Sequence, residues 1–112
     1  MDLTKIFIIP FHVKRVDSSS IMPHDVSGAY VSCYSTGKDY VEATERSLKK
    51  LSKDGLYPEE IMQPIHEMVS ENWTQHVGEM WPDQAESLIS QAEFEDIVKG
   101  GGVVYGPFGS YA

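Results

Sequence analysis

Apolar side chains crowd residues 5–15, at Ile6 to Ile9 and again at Phe11 and Val13, and this run reads as a first strand. Pro10 falls inside it. Proline cannot donate to a ladder, so an edge position or a bulge is expected there. Asp17, the serines that follow and Met22-Pro23-His24-Asp25 make residues 16–27 a loop. Residues 28–35 alternate, with Ala29, Val31 and Cys33 on one side and Tyr30, Ser32 and Tyr34 on the other, as a second strand does.

The pattern then changes period. Asp39 and Glu42 have capping-box spacing, and Tyr40, Ala43, Ser47, Leu48 and Leu51 follow at helical intervals. Acids gather at the start (Asp39, Glu42, Glu45) and bases at the end (Arg46, Lys49, Lys50, Lys53), the order that suits a helix dipole. Gly55 supplies a stop, so a helix is expected over 39–53. Ile61, Ile65, Met68 and Val69 would also fit a helix, but Pro64 would break it. A third strand over 59–68 is the expected return.

Ser70 stands as an N-cap before Trp73, Val77, Met80 and Trp81, which predict a short helix over 71–80 ended by Pro82. Ser90 with Glu93 forms a second capping box, and Ile89 with Phe94 a hydrophobic staple. That helix runs to Lys99 and stops at Gly100-Gly101-Gly102. Val103, Val104, Tyr105 and Phe108 form the last strand. The order β-β-α-β-α-α-β defines an α+β fold, read as a two-layer sandwich with about four strands and helices on one face. It resembles a ferredoxin-like layout with an extra short helix in the second crossover. No repeat or linker divides the chain, so residues 1–112 are expected to form a single domain.

Charge is the most unusual feature. The net of −8 disfavours nucleic acid and anionic membranes, both of which call for a basic face. The imbalance is local. Acids and bases nearly cancel up to residue 56, whereas beyond it Lys99 alone faces Glu59, Glu60, Glu67, Glu71, Glu79, Asp83, Glu86, Glu93, Glu95 and Asp96. The apolar run near the start is too short to span a membrane and has no basic leader. Cys33, the only cysteine, cannot form an internal bridge. Together these lead to the expectation of a cytoplasmic protein.

Candidate chemistry is sparse. His12, His24, His66 and His76 lack metal-ligand spacing, although His12 and His66 could face each other across adjacent strands, with Glu67 or Asp25 completing a site. Satisfied or exposed histidines are the commoner case. Cys33, mid-strand among small apolar residues, reads as a buried hydrophobe. The three glycines follow a helix, whereas a phosphate cradle precedes one, so they read as a cap and turn. Carboxylate pairs such as Glu59-Glu60 sit at caps and on polar helix sides. The aromatic tail of Tyr105, Phe108 and Tyr111 reads as a closing strand or as an edge for a second subunit.

There is no nucleophile–base pair and no cofactor fingerprint, so catalytic residues, cofactors and metals are not assigned, and a binding protein is expected rather than an enzyme. A small domain with one strongly acidic half suits capture of a basic protein, since charge complementarity speeds association and selects partners. In size and charge the chain resembles the bacterial immunity proteins that plug basic nuclease toxins. No motif carries that likeness, and no positions are transferred from it. Glu67, Glu71, Trp73, Glu79, Trp81 and Glu86 are the candidate contact residues. Two other readings stand beside this one: a homo-oligomer, such as a homodimer, binding a small metabolite or metal near the sheet, and an accessory domain whose acidity serves solubility.

Overall fold

The computed structural model describes residues 5–15 and 27–111. Residues 16–26 of the loop expected over 16–27, with His24 and Asp25, lie outside them. The elements run β1 (Lys5–Arg15), β2 (Gly28–Ser35), α1 (Tyr40–Lys53), β3 (Leu56–Ile61), β4 (His66–Val69), α2 (Trp73–Met80), α3 (Gln91–Lys99), β5 (Val103–Tyr105) and β6 (Gly109–Tyr111). Single 3₁₀ turns at Ser70–Asn72 and Ala85–Ser87 flank α2. Among the described residues no helix is long and apolar enough to cross a membrane.

The fold is α+β around one antiparallel sheet of six strands. β1 and β2 pair along their length, from Phe7 opposite Ser35 to Lys14 opposite Gly28. On the far side of β1, β3 takes residues Phe11 to Arg15 and β4 takes Lys5 to Ile8. On the far side of β2, β5 pairs with Cys33–Ser35 and β6 with Gly28–Tyr30. The segment expected as one strand over 59–68 is therefore two, broken at Met62–Ile65 around Pro64.

The count of about four strands and the ferredoxin-like layout are not confirmed. A ferredoxin-like sheet needs crossover helices that join parallel strands. Here the two central strands, β1 and β2, are consecutive in the chain, and only the α1 crossover joins parallel strands, β2 and β3, whereas the crossover through α2 and α3 joins β4 to β5, which run in opposite directions.

Helices on one face is the larger correction. Alternation sends Phe7, Ile9, Phe11 and Val13 of β1 to one side, with Ala29, Val31 and Cys33 of β2, and there they meet Ala43 and Leu51 of α1. Ile6 and Tyr34 point to the opposite side and meet Trp73 and Val77 of α2 with Phe94 and Val98 of α3. The sheet is thus covered on both faces, giving three layers instead of two. Side chains on successive strand residues point to opposite faces, so an unbroken run such as Ile6-Phe7-Ile8-Ile9 requires two covers.

Pro10 lies in this central strand, not at an edge. Its carbonyl accepts the Met62 N–H at 2.8 Å. In an antiparallel ladder a residue's N and O face the same neighbour. The donor that proline lacks therefore points at the interruption between β3 and β4, where no strand awaits it.

Local signals account for the helix ends. Asp39 caps α1 by accepting the Glu42 N–H at 3.0 Å, and Ser90 and Glu93 form a reciprocal capping box on α3. Gly55 and Gly101 take φ values of 75° and 85°, the left-handed conformation that ends a helix. Ser70 does not cap α2. It is buried in the preceding turn, its hydroxyl donating to Glu71 and its carbonyl accepting from Gln91, and the first turn of α2 is capped from α3 instead, where Gln91 Oε1 accepts the Thr74 N–H at 2.9 Å.

The second core is aromatic. Trp73 stacks on Phe94 with centroids 4.2 Å apart and planes 3° from parallel, and its indole N–H donates to the Ile89 carbonyl at 2.9 Å. Phe94→Ala is expected to cost about 3–5 kcal/mol, read from the urea unfolding midpoint. On the other face Cys33 is buried against α1, and burial pushes its thiol up to about 12 despite a hydrogen bond from Ser47. It should resist iodoacetamide at pH 8 in the folded protein and react fully in denaturant, because the thiolate is the nucleophile.

Candidate functional site

A cleft of about 340 Å³ opens between the sheet and α2. Its floor comes from β1 and β2. Ile8 and Pro10 share a face with Ser32 and Tyr34, which pair opposite them. One wall is β4, where His66 pairs with Ile8 and Met68 with Ile6, so both side chains share that face. The other wall is the end of α2, where His76 and Met80 stand one helical turn apart. Trp81 closes one end.

The glycine at 106 admits this indole. A Cβ there would stand 3.0 Å from Trp81 Cη2 and 3.4 Å from its neighbouring ring carbons. A second hollow of about 400 Å³ shares Pro10, Ser32 and Trp81 with the first, so Trp81 divides one groove into two.

The polar contact at the centre is Tyr34 Oη to His76 Nε2, 2.7 Å. The Tyr34 ring is fully buried, and its edges meet Trp73 at 5.0 Å, Trp81 at 6.1 Å and Phe94 at 6.1 Å. Burial raises the Tyr34 hydroxyl far above its ordinary pKa. Burial also lowers that of His76. The Glu79 carboxylate opposes this shift and nearby His66 adds to it. Tyr34 and His76 are therefore both neutral at pH 7, one donor and one acceptor sharing a proton position.

The contact residues expected from sequence separate in space. Trp81 lines the cleft, and Glu79 flanks it beside His76. Glu67 also borders the cleft, but between His66 and Met68 on the same strand it pairs opposite Phe7. Its carboxylate accordingly turns to the α1 face, where Lys5 Nζ holds it at 3.1 Å. Glu71 and Glu86 are exposed in the two 3₁₀ turns. Trp73 is 1% exposed and belongs to the core, so it cannot act as a surface anchor.

His12 and His66 do not face each other. His12 pairs with Glu60 and His66 with Ile8, positions separated by four residues along β1. His12 stacks on Tyr30 at 4.7 Å and its Nε2 meets the Tyr111 hydroxyl at 2.6 Å, a satisfied surface histidine. Among the described residues no group of three or more His, Cys, Asp or Glu could hold a metal ion. Sequence reasoning missed the Tyr34–His76 pair. Its only signals were an inward strand position and a histidine on the same stripe as Trp73 and Met80.

No family model, curated protein or solved structure matches the chain.

Tyr34→Phe would leave the His76 ring without its partner. We expect a loss of about 1 kcal/mol, seen as a lower urea midpoint at unchanged slope. An unchanged midpoint would mean that solvent already satisfies both groups.

Proposed function

We propose that the protein is a binding protein that captures a basic protein partner on its α2–α3 layer. The observation that carries this reading is the uncompensated charge of that layer. Glu71, Glu79, Asp83, Glu86, Glu93 and Asp96 are all exposed, and none forms an ion pair among the described residues. The one base there, Lys99, lies 4.0 Å from Glu95. Glu93 closes the α3 capping box and Glu71 and Glu79 accept hydrogen bonds from Ser70 and Gln75, but no base among the described residues neutralises any of the six, so their excess charge is available to a partner. Met80, 59% exposed beside Trp81 and Glu79, supplies the apolar contact that charge alone does not. A basic toxin of the kind that immunity proteins bind is one partner of this chemistry.

The test is a pull-down from native lysate at low and at high salt, with Glu71→Lys/Glu79→Lys/Glu86→Lys as a second bait. A single basic protein should be retained at low salt, weakened at high salt and lost by the charge-reversed bait. With that partner purified, reversal should slow association on the order of tenfold or more at low salt. Equal retention by both baits would sink the reading.

The cleft favours a second reading, a small-ligand site. It is concave, mostly apolar and carries a few convergent polar groups.

A further inference from the structure

We propose that the cleft is a soft-metal site, binding Cu(I) through His66, Met68, His76 and Met80. The proposal stands on the cleft alone and does not depend on the basic-partner reading. Two spacings bring the four side chains together. His66 and Met68 are two apart on β4 and share the strand face turned toward α2. His76 and Met80 are four apart on α2 and line the cleft together, beside the Trp73 and Val77 stripe that packs on the sheet. All four line the same cleft, and the two imidazoles lie close enough for His66 to act electrostatically on His76.

The donor set selects the metal. Thioether sulfur is a soft ligand with little affinity for Mg²⁺, Ca²⁺ or Mn²⁺, whereas Cu(I) takes thioether and imidazole readily. Half of the ligands of this site are methionines. Its members need no deprotonated thiol and no carboxylate.

The surroundings fit a monovalent cation. Tyr34 engages His76 Nε2, and Nδ1, which has no hydrogen-bond partner among the described residues, is the nitrogen left for a metal. A ligating histidine is ordinarily oriented by a hydrogen bond from its other ring nitrogen. With the metal on Nδ1, Nε2–H donates to the Tyr34 oxygen at the 2.7 Å seen here. Trp81 meets His76 edge-to-face at 5.6 Å and adds a π-system beside the cation. Glu79 lies one turn from His76 and contributes negative potential without being a ligand. No electron transfer is implied: the ion enters and leaves as Cu(I).

Ag(I), of the same charge and softness but stable in air, is the probe. The full chain, labelled with ¹³C at the methionine methyls, is titrated with Ag(I) and followed by NMR. At one equivalent the Met68 and Met80 methyls should shift together while Met62 stays in place. Met68→Leu/Met80→Leu, close to volume-conserving, should stay folded by circular dichroism and weaken binding at least about 100-fold. Tyr34→Phe should weaken it about 10- to 100-fold through the orientation of His76, as a positioning residue does. Cys33→Ala should leave binding unchanged. Unmoved Met68 and Met80 methyls would overturn the proposal, as would full affinity in the leucine pair or loss of binding in Cys33→Ala.

Discussion

β1 is covered on both faces and paired along both edges except beside Pro10, and the rest of the molecule is arranged around that constraint. β2 covers one edge, while β3 and β4 divide the other between them. Phe7, Ile9, Phe11 and Val13 need one helical cover, and Ile6 needs another. A fully buried side chain of this size contributes about 1.5–3 kcal/mol relative to exposure. Neither set can be left in water, so α1 must settle on one face while α2 and α3 close the other. The chain between β2 and β3 has only α1 to offer, and the chain between β4 and β5 supplies both remaining helices. Pro10 fits the same scheme, because its missing donor faces the one stretch where the second edge is open.

Tyr34 ties this frame to the cleft. It is the β2 residue that points into the α2–α3 layer at the level of Trp73 and Phe94, and aromatic edges hold its ring from several directions. A ring so fixed leaves its hydroxyl no rotamer freedom except rotation of the proton. That hydroxyl emerges at the boundary between core and cleft, where a hydrogen-bond partner is obligatory. His76 meets the requirement and is oriented in return. The polar centre of the cleft is thus a by-product of core packing, rigid without being deeply buried. The divider at Trp81 is equally fixed, because the backbone at Gly106 passes directly beneath it.

Much of this was legible in the residues. The caps at Asp39 and Ser90, the stops at Gly55 and Gly101 and the amphipathic stripes of α1 and α3 are all local, and local chemistry decides them. What misled were features settled over distance. Reading β1 for one buried face overlooked that an unbroken apolar run needs two, so a third layer went unseen. Pro64 signalled a break in the segment after α1, but whether a strand resumes beyond it depends on the free edge of β1. Trp73 belongs to an aromatic stripe that suits a core or a surface equally well, and its stack on Phe94 decides between them. Met68 and His76 could not be placed together, since their meeting requires β4 and α2 to be opposite walls of one space.

The acids require a separate argument, because the fold does not need them. Exposed ion pairs contribute about 0–1 kcal/mol, and most carboxylates of the α2–α3 layer lack even that. Like charges about 10 Å apart in water repel by about 0.4 kcal/mol before screening, and salt reduces this further within a Debye length of about 8 Å. The excess is therefore a small destabilisation distributed over α2, α3 and the turns between them, tolerated by the aromatic core beneath. Glu42 and Glu93 can be assigned to helix caps, Glu67 to Lys5 and Asp54 to Lys50 and the Tyr105 hydroxyl. Glu71 and Glu79 accept neutral hydrogen bonds from Ser70 and Gln75, but their charges, like that of Glu86, are matched by no base among the described residues. The field of this layer is not cancelled from within and acts outward on whatever approaches it, which is the property that the proposed capture of a basic partner draws on.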